Sequence, residues 1–532
     1  MTTDYTEAAV CHIDDLHDGQ LKEVRVGDTD VLLARVDGQY YALYPKCSHY
    51  GAPLAKGVLH GHRLVCPWHN ACFDATTGHR LEAPALNGLP MHEVRIESDQ
   101  VLVRLTTDAQ SRTNPLAAPQ AHSTETYVIV GAGGAGAFAA EALREGGFTG
   151  RIVMLTQSPN QPYDRPNCSK DYLQGKAPAE WMPLREPDFY KQYGIEIRTE
   201  TPVKRLDAAI KEIVLQSGET IRYDKALICT GGAPNHLPVP GADLRNVFTL
   251  RTLTDSSQLR LLGQQGKRVV IVGSSFIGLE AAMSLRKLGA EVAVVGREAV
   301  PFAKVLGEKI GRLVQGWHEK AGIRFHLGRE VRQFDGTGEV STVVLDNGLS
   351  LPADVVLLGL GVKPRTDFLE NVPRADDGGV LTDEYLQLAD GLYAAGDIAH
   401  FPTPDGPVRI EHWKVAGQQG HVAGLNMARP DAPEPYRMAP FFWTNQQGKR
   451  INYVGHAEQF DQIIYDGDPE TDDSFLAFYG VDGVVKAVAS LGRDTDIAII
   501  RELMQNGQLP HLQTIQAGVD WPALLAKVTP QA

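Results

Sequence analysis

No run of this sequence is apolar for long enough to cross a bilayer. Its start, MTTDYTEAAVCHIDDLHDG, has neither a basic region ahead of an apolar run nor a twin-arginine pair, so no secretory signal is expected. Positive charge is short as well. Lysine and arginine number 51 against 65 acidic residues, a formal charge of −14, which argues against nucleic acid or an anionic membrane as the main partner. Cysteine is scarce: six in 532 residues, scattered rather than framed as disulfides, which suits a reducing compartment and a cytoplasmic protein. What remains is an ordinary globular composition, 43% hydrophobic and 22% charged, in a chain long enough for about three or four domains.

Two of the cysteines stand in the most specific pattern of the chain. In PKCSHYGAPLAKGVLHGHRLVCPWHNACFD, Cys47-Ser-His49 is followed by Cys66-Pro-Trp-His69. Cys47, His49, Cys66 and His69 make the ligand set of an iron–sulfur centre in which imidazoles replace two thiolates on one iron. Each short pair closes one end of such a site, and the loop between lets the pairs meet. A structural zinc uses the same residue types, and simple packing is the plainest alternative. Packing fits poorly, because the run is broken by Pro, Gly and Trp rather than periodic. Around it, residues 1–105 alternate in short apolar segments, and VLHGHRLVC and MHEVRIESDQVLVRL read as hairpins. A small β domain is expected, with the cluster loops at one end. Residues 106–126, TTDAQSRTNPLAAPQAHSTET, read as a flexible interdomain linker.

Then comes TYVIVGAGGAGAFAAEALREGGFTGRIVMLTQ: a strand at 127–130, Gly131-x-Gly133-x-x-Gly136, an alanine-rich helix and a second strand, Arg151–Leu155. In this setting the first glycine permits the tight turn and the second lets the backbone approach a pyrophosphate. The third lets helix pack closely on strand, while the helix N-terminus faces the phosphates. About 140 residues later KRVVIVGSSFIGLEAAMSLRKLGAEVAVVGRE repeats the arrangement. Gly273 and Gly278 hold the outer places, and Ser275 replaces the middle glycine with a side chain still small under phosphates. Two units imply two dinucleotides, a bound flavin and a nicotinamide coenzyme. An acidic residue normally ends each second strand. Gln157 stands there in the first unit, and Gly296-Arg297 in the second. A guanidinium without the carboxylate tolerates a ribose phosphate, so the donor reads as NAD(P)H.

Two further glycine turns follow strands, Thr230-Gly231-Gly232 in ICTGG and Gly396-Asp397 in AAGDIA. Taken in order, CSH…CPWH, GAGGAG, PYDRPNCSK, ICTGG, GSSFIGLE, AAGDIA, IEHW and FFWTNQ resemble the Rieske-containing relatives of apoptosis-inducing factor, within the oxygenase-coupled ferredoxin reductases. The resemblance covers the whole chain apart from the linker. It implies a multidomain α/β plus β fold with two Rossmann-like units of the flavoprotein disulfide-reductase type. Its parts are a Rieske β domain at 1–105, an FAD domain at 127–250 and 380–435, an NAD(P) domain at 251–379, and an α+β domain at 436–532. The same resemblance implies FAD contacts from Gln157, Arg165, Thr230, Gly231, Asp397, Glu411, His412, Trp413 and Trp443, and places Gly361 with the nicotinamide coenzyme. It also implies a catalytic pair at the flavin ring, Lys170 with Glu280. An ammonium there stabilises negative charge on reduced flavin, and a carboxylate holds it in place.

High-potential Rieske proteins carry an added cysteine after each ligand pair. Ala52 and Trp68 stand at those places, so the resemblance is to the low-potential, ferredoxin-like branch. Disulfide reductases use two cysteines beside the flavin, whereas Cys168 has no partner close in sequence. The expected activity is electron transfer from NAD(P)H through FAD to a [2Fe-2S] cluster, and on to an unidentified protein or small-molecule acceptor, such as an oxygenase or a cytochrome-like protein. Fusion would tether the ferredoxin at high effective concentration. The chain would act as a monomer or a homodimer. A redox sensor of low turnover is the alternative. A complete oxygenase would need a further iron on two histidines and a carboxylate, for which no motif stands out.

Overall fold

A computed structural model describes residues 6–106, 114–120, 122–264 and 266–529. The N-terminal part is all β. One sheet runs in the order Glu7–His12, Gln100–Arg104, Met91–Glu97, Gln39–Leu43, Thr29–Val36, Leu21–Val26. Its last hairpin in chain order turns at Ser98 and Asp99, whose φ values of 49° and 62° suit a two-residue turn between right-twisted strands. A smaller sheet of Val58–His60, Arg63–Val65, Cys72–Asp74 and Arg80–Glu82 carries the second cluster loop between its middle strands. The first cluster loop precedes it.

Two parallel sheets follow, each built on apolar runs buried on both faces, as crossover helices require. The first runs Ile195–Arg198, Arg151–Leu155, Thr126–Val130, Lys225–Ile228, Leu392–Ala394, with Gln387–Ala389 antiparallel at the edge. Chain order reverses between Thr126–Val130 and Lys225–Ile228, so a crevice opens beyond their carboxyl ends, where Gly131 meets Thr230. The second sheet, Val247–Thr249, Val355–Leu358, Arg268–Val272, Glu291–Gly296, Arg324–Leu327, repeats the arrangement. There Gly273 meets Gly359. The C-terminal part is a five-stranded antiparallel sheet, Phe441–Gln446 to Gln462–Asp466, backed by the helix Asp494–Gln505. No helix among the described residues is long and apolar enough to cross a membrane.

The N-terminal domain does not hang on its connector. Val58, Val65 and Cys72 share one core with Phe441, Phe478, Ile497 and Leu503 of the C-terminal domain. Beside that core, buried Glu82 accepts hydrogen bonds from Arg501 at 2.5 Å, Gln418 at 2.7 Å and Lys414 at 3.1 Å, and from Arg63 as well. Arg63 also pairs with Glu502 at 3.1 Å. Of the connector, Asn114 is buried and bonds both main-chain groups of Arg80 and the Glu145 carboxylate at 2.7–3.0 Å. The reading of 106–126 as flexible is corrected for its described part: a buried ion network and a shared core hold the N-terminal domain, and Asn114, Ala117 and Gln120 are hydrogen-bonded to it or to the flavin part. Residues 107–113 and 121 of that segment lie outside the described residues.

Candidate active site

The two cluster loops are near copies. Cys47 N–H donates to Ala52 O and Cys66 N–H to Ala71 O, each at 2.8 Å, so each loop closes on itself around a cysteine. The N–H groups of His49 and Tyr50 point at the Cys47 sulfur, and those of Trp68 and His69 at the Cys66 sulfur. The thiols are close enough to share a hydrogen bond, which drives the Cys47 proton affinity up and the Cys66 affinity down. Across from them, the two histidine Nδ1 atoms face each other at 3.1 Å. Burial pushes His49 down to about 3 and His69 well below the usual imidazole range, leaving both rings neutral with lone pairs to give. Among the described residues, no three such side chains converge as for a single ion. A thiol pair and an imidazole pair are the donor set of a two-iron cluster with imidazoles on one iron.

Beside these loops lies a cavity of about 900 Å³, lined by both phosphate turns. Gly131 has φ 121°, and a Cβ there would strike Cys229 O at 2.3 Å. A Cβ at Gly136 would strike Gly131 O at 2.0 Å. At Gly133 a Cβ meets nothing within 4 Å, which leaves the open approach a pyrophosphate needs. Gln157, Thr230, Gly231, Asp397, Glu411 and His412 also line the cavity, and the buried His412 Nδ1 has no hydrogen-bond partner among the described residues. Arg165, Arg251 and Arg365 bring three guanidinium groups to the same wall, only Arg251 carrying an acidic partner among the described residues, Asp397 at 2.6 Å. Burial and mutual repulsion lower the proton affinity of Arg165 and Arg365, so an anionic diphosphate fits this wall. Arg251 and Arg365 were not foreseen; neither lies in a phosphate-turn motif.

In the second unit, Ser275 does more than stay small. Its Oγ accepts from Gly278 N–H at 3.2 Å and caps the helix Phe276–Lys287, ordering the end that faces the cavity. Ser275 and Gly361 line the cavity, whereas Gly136, Gly273, Gly278, Gly296 and Arg297 do not. Gly278 packs on Gly273 O, as Gly136 does on Gly131 O. Arg297 is exposed and pairs with Glu330 at 3.2 Å, so a carboxylate does stand beside the second strand's end, supplied from elsewhere in the chain.

Lys170 and Glu280, 110 residues apart, meet at 2.7 Å. Glu280 is buried and accepts three further bonds, from Ser169 Oγ at 2.6 Å, Thr444 Oγ1 at 2.7 Å and Asn445 N–H at 3.3 Å. The flavin part, the nicotinamide part and the C-terminal sheet thus grip one carboxylate, which aims the lysine into the cavity wall. Cys168 lines the same wall, but burial pushes its thiol up to about 12, so it is not a thiolate nucleophile.

Trp413 packs against Gly134 of the first phosphate turn, and Trp443 joins the two sites. Trp443 lines the cavity, and its ring centroid lies 4.3 Å from that of His69 and 6.2 Å from that of His49. The histidine edge of the cluster site therefore faces the cavity.

Two dinucleotide turns on one cavity, with a thiol–imidazole site at its edge, define a flavin- and nicotinamide-dependent oxidoreductase with a built-in iron–sulfur domain. The chain belongs to the pyridine nucleotide-disulphide oxidoreductase family, which residues 125–420 match; residues 6–93 match the Rieske [2Fe-2S] domain and residues 441–518 the reductase C-terminal domain. It is 39% identical over 520 residues to apoptosis-inducing factor 3 of Homo sapiens, covering 95% of this chain and 85% of that protein. It is 32% identical to the biphenyl dioxygenase system ferredoxin–NAD(+) reductase component of Paraburkholderia xenovorans, over 71% of this chain and 93% of that one. Among solved structures, the covalent putidaredoxin reductase–putidaredoxin complex superposes with a TM-score of 0.71 at 28% identity, over 76% of this chain and 99% of that one. The protein is an FAD-dependent enzyme that passes electrons from NAD(P)H to a fused Rieske centre.

Proposed function

We propose that Cys47, His49, Cys66 and His69 hold the [2Fe-2S] cluster and that electrons reach it from the flavin cavity by way of Trp443. The observation that carries this is the contact of Trp443 with both histidines while it lines the cavity. When bound, the groups supply hydride acceptance at the flavin and one-electron transfer at the cluster. The chain's own part is positioning. The turns at Gly131 and Ser275 present helix N-termini to the two dinucleotides, and the arginine wall neutralises the flavin diphosphate. Lys170, held by Glu280, places a positive charge where reduced flavin gathers negative charge. Trp413 and Trp443 exclude water beside the ring.

The acceptor beyond the cluster is a one-electron carrier protein, of the kind that feeds an oxygenase or resembles a cytochrome. The four cysteines outside the cluster set, Cys11, Cys72, Cys168 and Cys229, are buried and unpaired among the described residues, which supports a reducing, cytoplasmic setting. Anaerobic titration with NADH and with NADPH, followed by absorbance and electron paramagnetic resonance, tests the relay. Both flavin and cluster should be reduced in the parent protein. His49→Ala should keep flavin bleaching by NAD(P)H and lose the cluster signal; a parent flavin that bleaches with no reducible cluster signal would sink the relay.

A further inference from the structure

The docking that faces the histidines toward the flavin buries His69 and leaves His49 only partly open. An acceptor cannot reach the edge that Trp443 occupies, so an electron must leave by another face. One residue offers it. Tyr50 stacks on His49, centroids 4.1 Å apart and planes 21° from parallel, and meets His69 edge-on at 5.7 Å. Its other side is open, the residue being 45% exposed. Its hydroxyl donates to the Asp164 carboxylate, which ties this ring to the seam between the cluster domain and the flavin domain. Asp164 N–H in turn bonds Met182 O at 2.8 Å, and the next residue back, Trp181, is 72% exposed, the second most exposed large hydrophobic side chain after Leu261 among the described residues. Two carboxylates act on Tyr50, Asp164 and Asp171, and Asp171 is exposed. Aromatic rings with an acidic margin are the composition of a docking spot for a cationic protein.

We propose that Tyr50 is the electron exit of the fused domain, and that a one-electron carrier protein with a basic face docks on Tyr50 and Trp181. This rests on the relay proposed above. One electron leaves the reduced cluster and one reduces the carrier, and no bond forms or breaks. Asp171 draws the carrier in, and Tyr50 conducts between its surface and His49.

Cytochrome c, a basic haem protein, serves as the probe, with holoprotein reduced anaerobically by NADH. In the parent, cluster reoxidation by cytochrome c should slow as salt is raised. Tyr50→Leu should hand its electron over about tenfold more slowly, the loss of one aromatic contact. Tyr50→Phe, which keeps the stacked ring, should restore the rate. Independently of turnover, carbodiimide cross-linking should join cytochrome c lysines to Asp171, and Asp171→Asn should abolish that cross-link. A parent rate in Tyr50→Leu, with its cluster signal intact, would overturn the exit, as would cross-links confined to another face. An unchanged rate in His49→Ala, which lacks the cluster, would instead show that electrons leave from flavin and would overturn the relay itself.

Discussion

Glycines 133 and 136 share a motif and a helix turn, yet they should fail in opposite ways when given a methyl group. A Cβ at Gly136 lies 2.0 Å from Gly131 O and 3.2 Å from Cys229 Sγ, both in the buried seam between helix and strand. Gly136→Ala should therefore cost the flavin-free protein about 1–3 kcal/mol as helix and strand are pushed apart. A Cβ at Gly133 meets no protein atom within 4 Å, and its φ of −86° suits alanine. Gly133→Ala should leave the flavin-free protein within about 1 kcal/mol of the parent but lose flavin, because the methyl stands where the phosphate approaches. Thermal unfolding of the apoproteins, read beside the flavin-to-protein ratio after purification, separates the two. Equal destabilisation by both substitutions would contradict the roles given to them. The sequence already carried this distinction, since a strand, three spaced glycines and an alanine-rich helix dictate which glycine faces what. It did not carry the role of Ser275, whose hydroxyl caps the helix it begins.

At the scale of elements, the contact of the small Rieske sheet with the helices Trp413–Ala428 and Asp494–Gln505 decides how the domains sit. Arg501→Met would strip the buried Glu82 carboxylate of one of its charged partners, at a cost of about 3–5 kcal/mol. The expected result is a looser domain contact: faster proteolysis of the connector and slower flavin-to-cluster transfer in stopped flow, with flavin bleaching by NADH unchanged. The same network gives a pH signature. Burial alone would raise the carboxyls of Glu145 and Glu502, but His421 and Arg80 for the one, and His60, Arg63 and Arg501 for the other, outweigh it and hold both down to about 2. Folded values below the unfolded value of 4.5 mean these groups stabilise the fold above about pH 4.5 and lose that contribution as pH falls toward 2. Histidines held neutral by burial, His49, His318 and His412 among them, add an earlier loss, because they charge on unfolding below about 6.5. Denaturation midpoints of the apoprotein should therefore begin to fall below about pH 6.5 and drop further below about 4.5 as these carboxylates protonate. None of this was legible beforehand. Glu82 and Arg501 stand 419 residues apart, and each alone reads as a solvated charge. The Lys170–Glu280 pair spans 110 residues and was legible only because both ends lie in motifs whose order resembles a known family. Trp443 was expected at the flavin, but its contact with His69 joins chain segments that no local pattern links.

For the whole molecule, the question is whether the cluster domain works as a tethered carrier or as a fixed part of the reductase. The two differ in how the internal transfer rate depends on the connector. A tethered domain finds its partner at an effective concentration that falls roughly as the −3/2 power of connector length. Inserting about twenty Gly and Ser residues between Thr106 and Asn114 would then slow flavin-to-cluster transfer about threefold. A domain held by the core of Val58, Val65 and Cys72 with Phe441 and Phe478, and by the Glu82 network, does not sample that length at all. The bonds of Asn114 to Arg80 and Glu145 lie beyond the insertion and should survive it. The expected outcome is therefore a parent rate in the lengthened protein. A length-dependent rate appears only when the latch is also broken, so the insertion should become costly in the Arg501→Met background. Stopped-flow measurement of cluster reduction in the four proteins decides the matter, since independence of length in the parent and dependence in the unlatched variant is a pattern that a freely tethered domain cannot produce. A rate that falls with length in the otherwise unaltered chain would return the domain to its tether, and with it would reopen the histidine edge to outside acceptors.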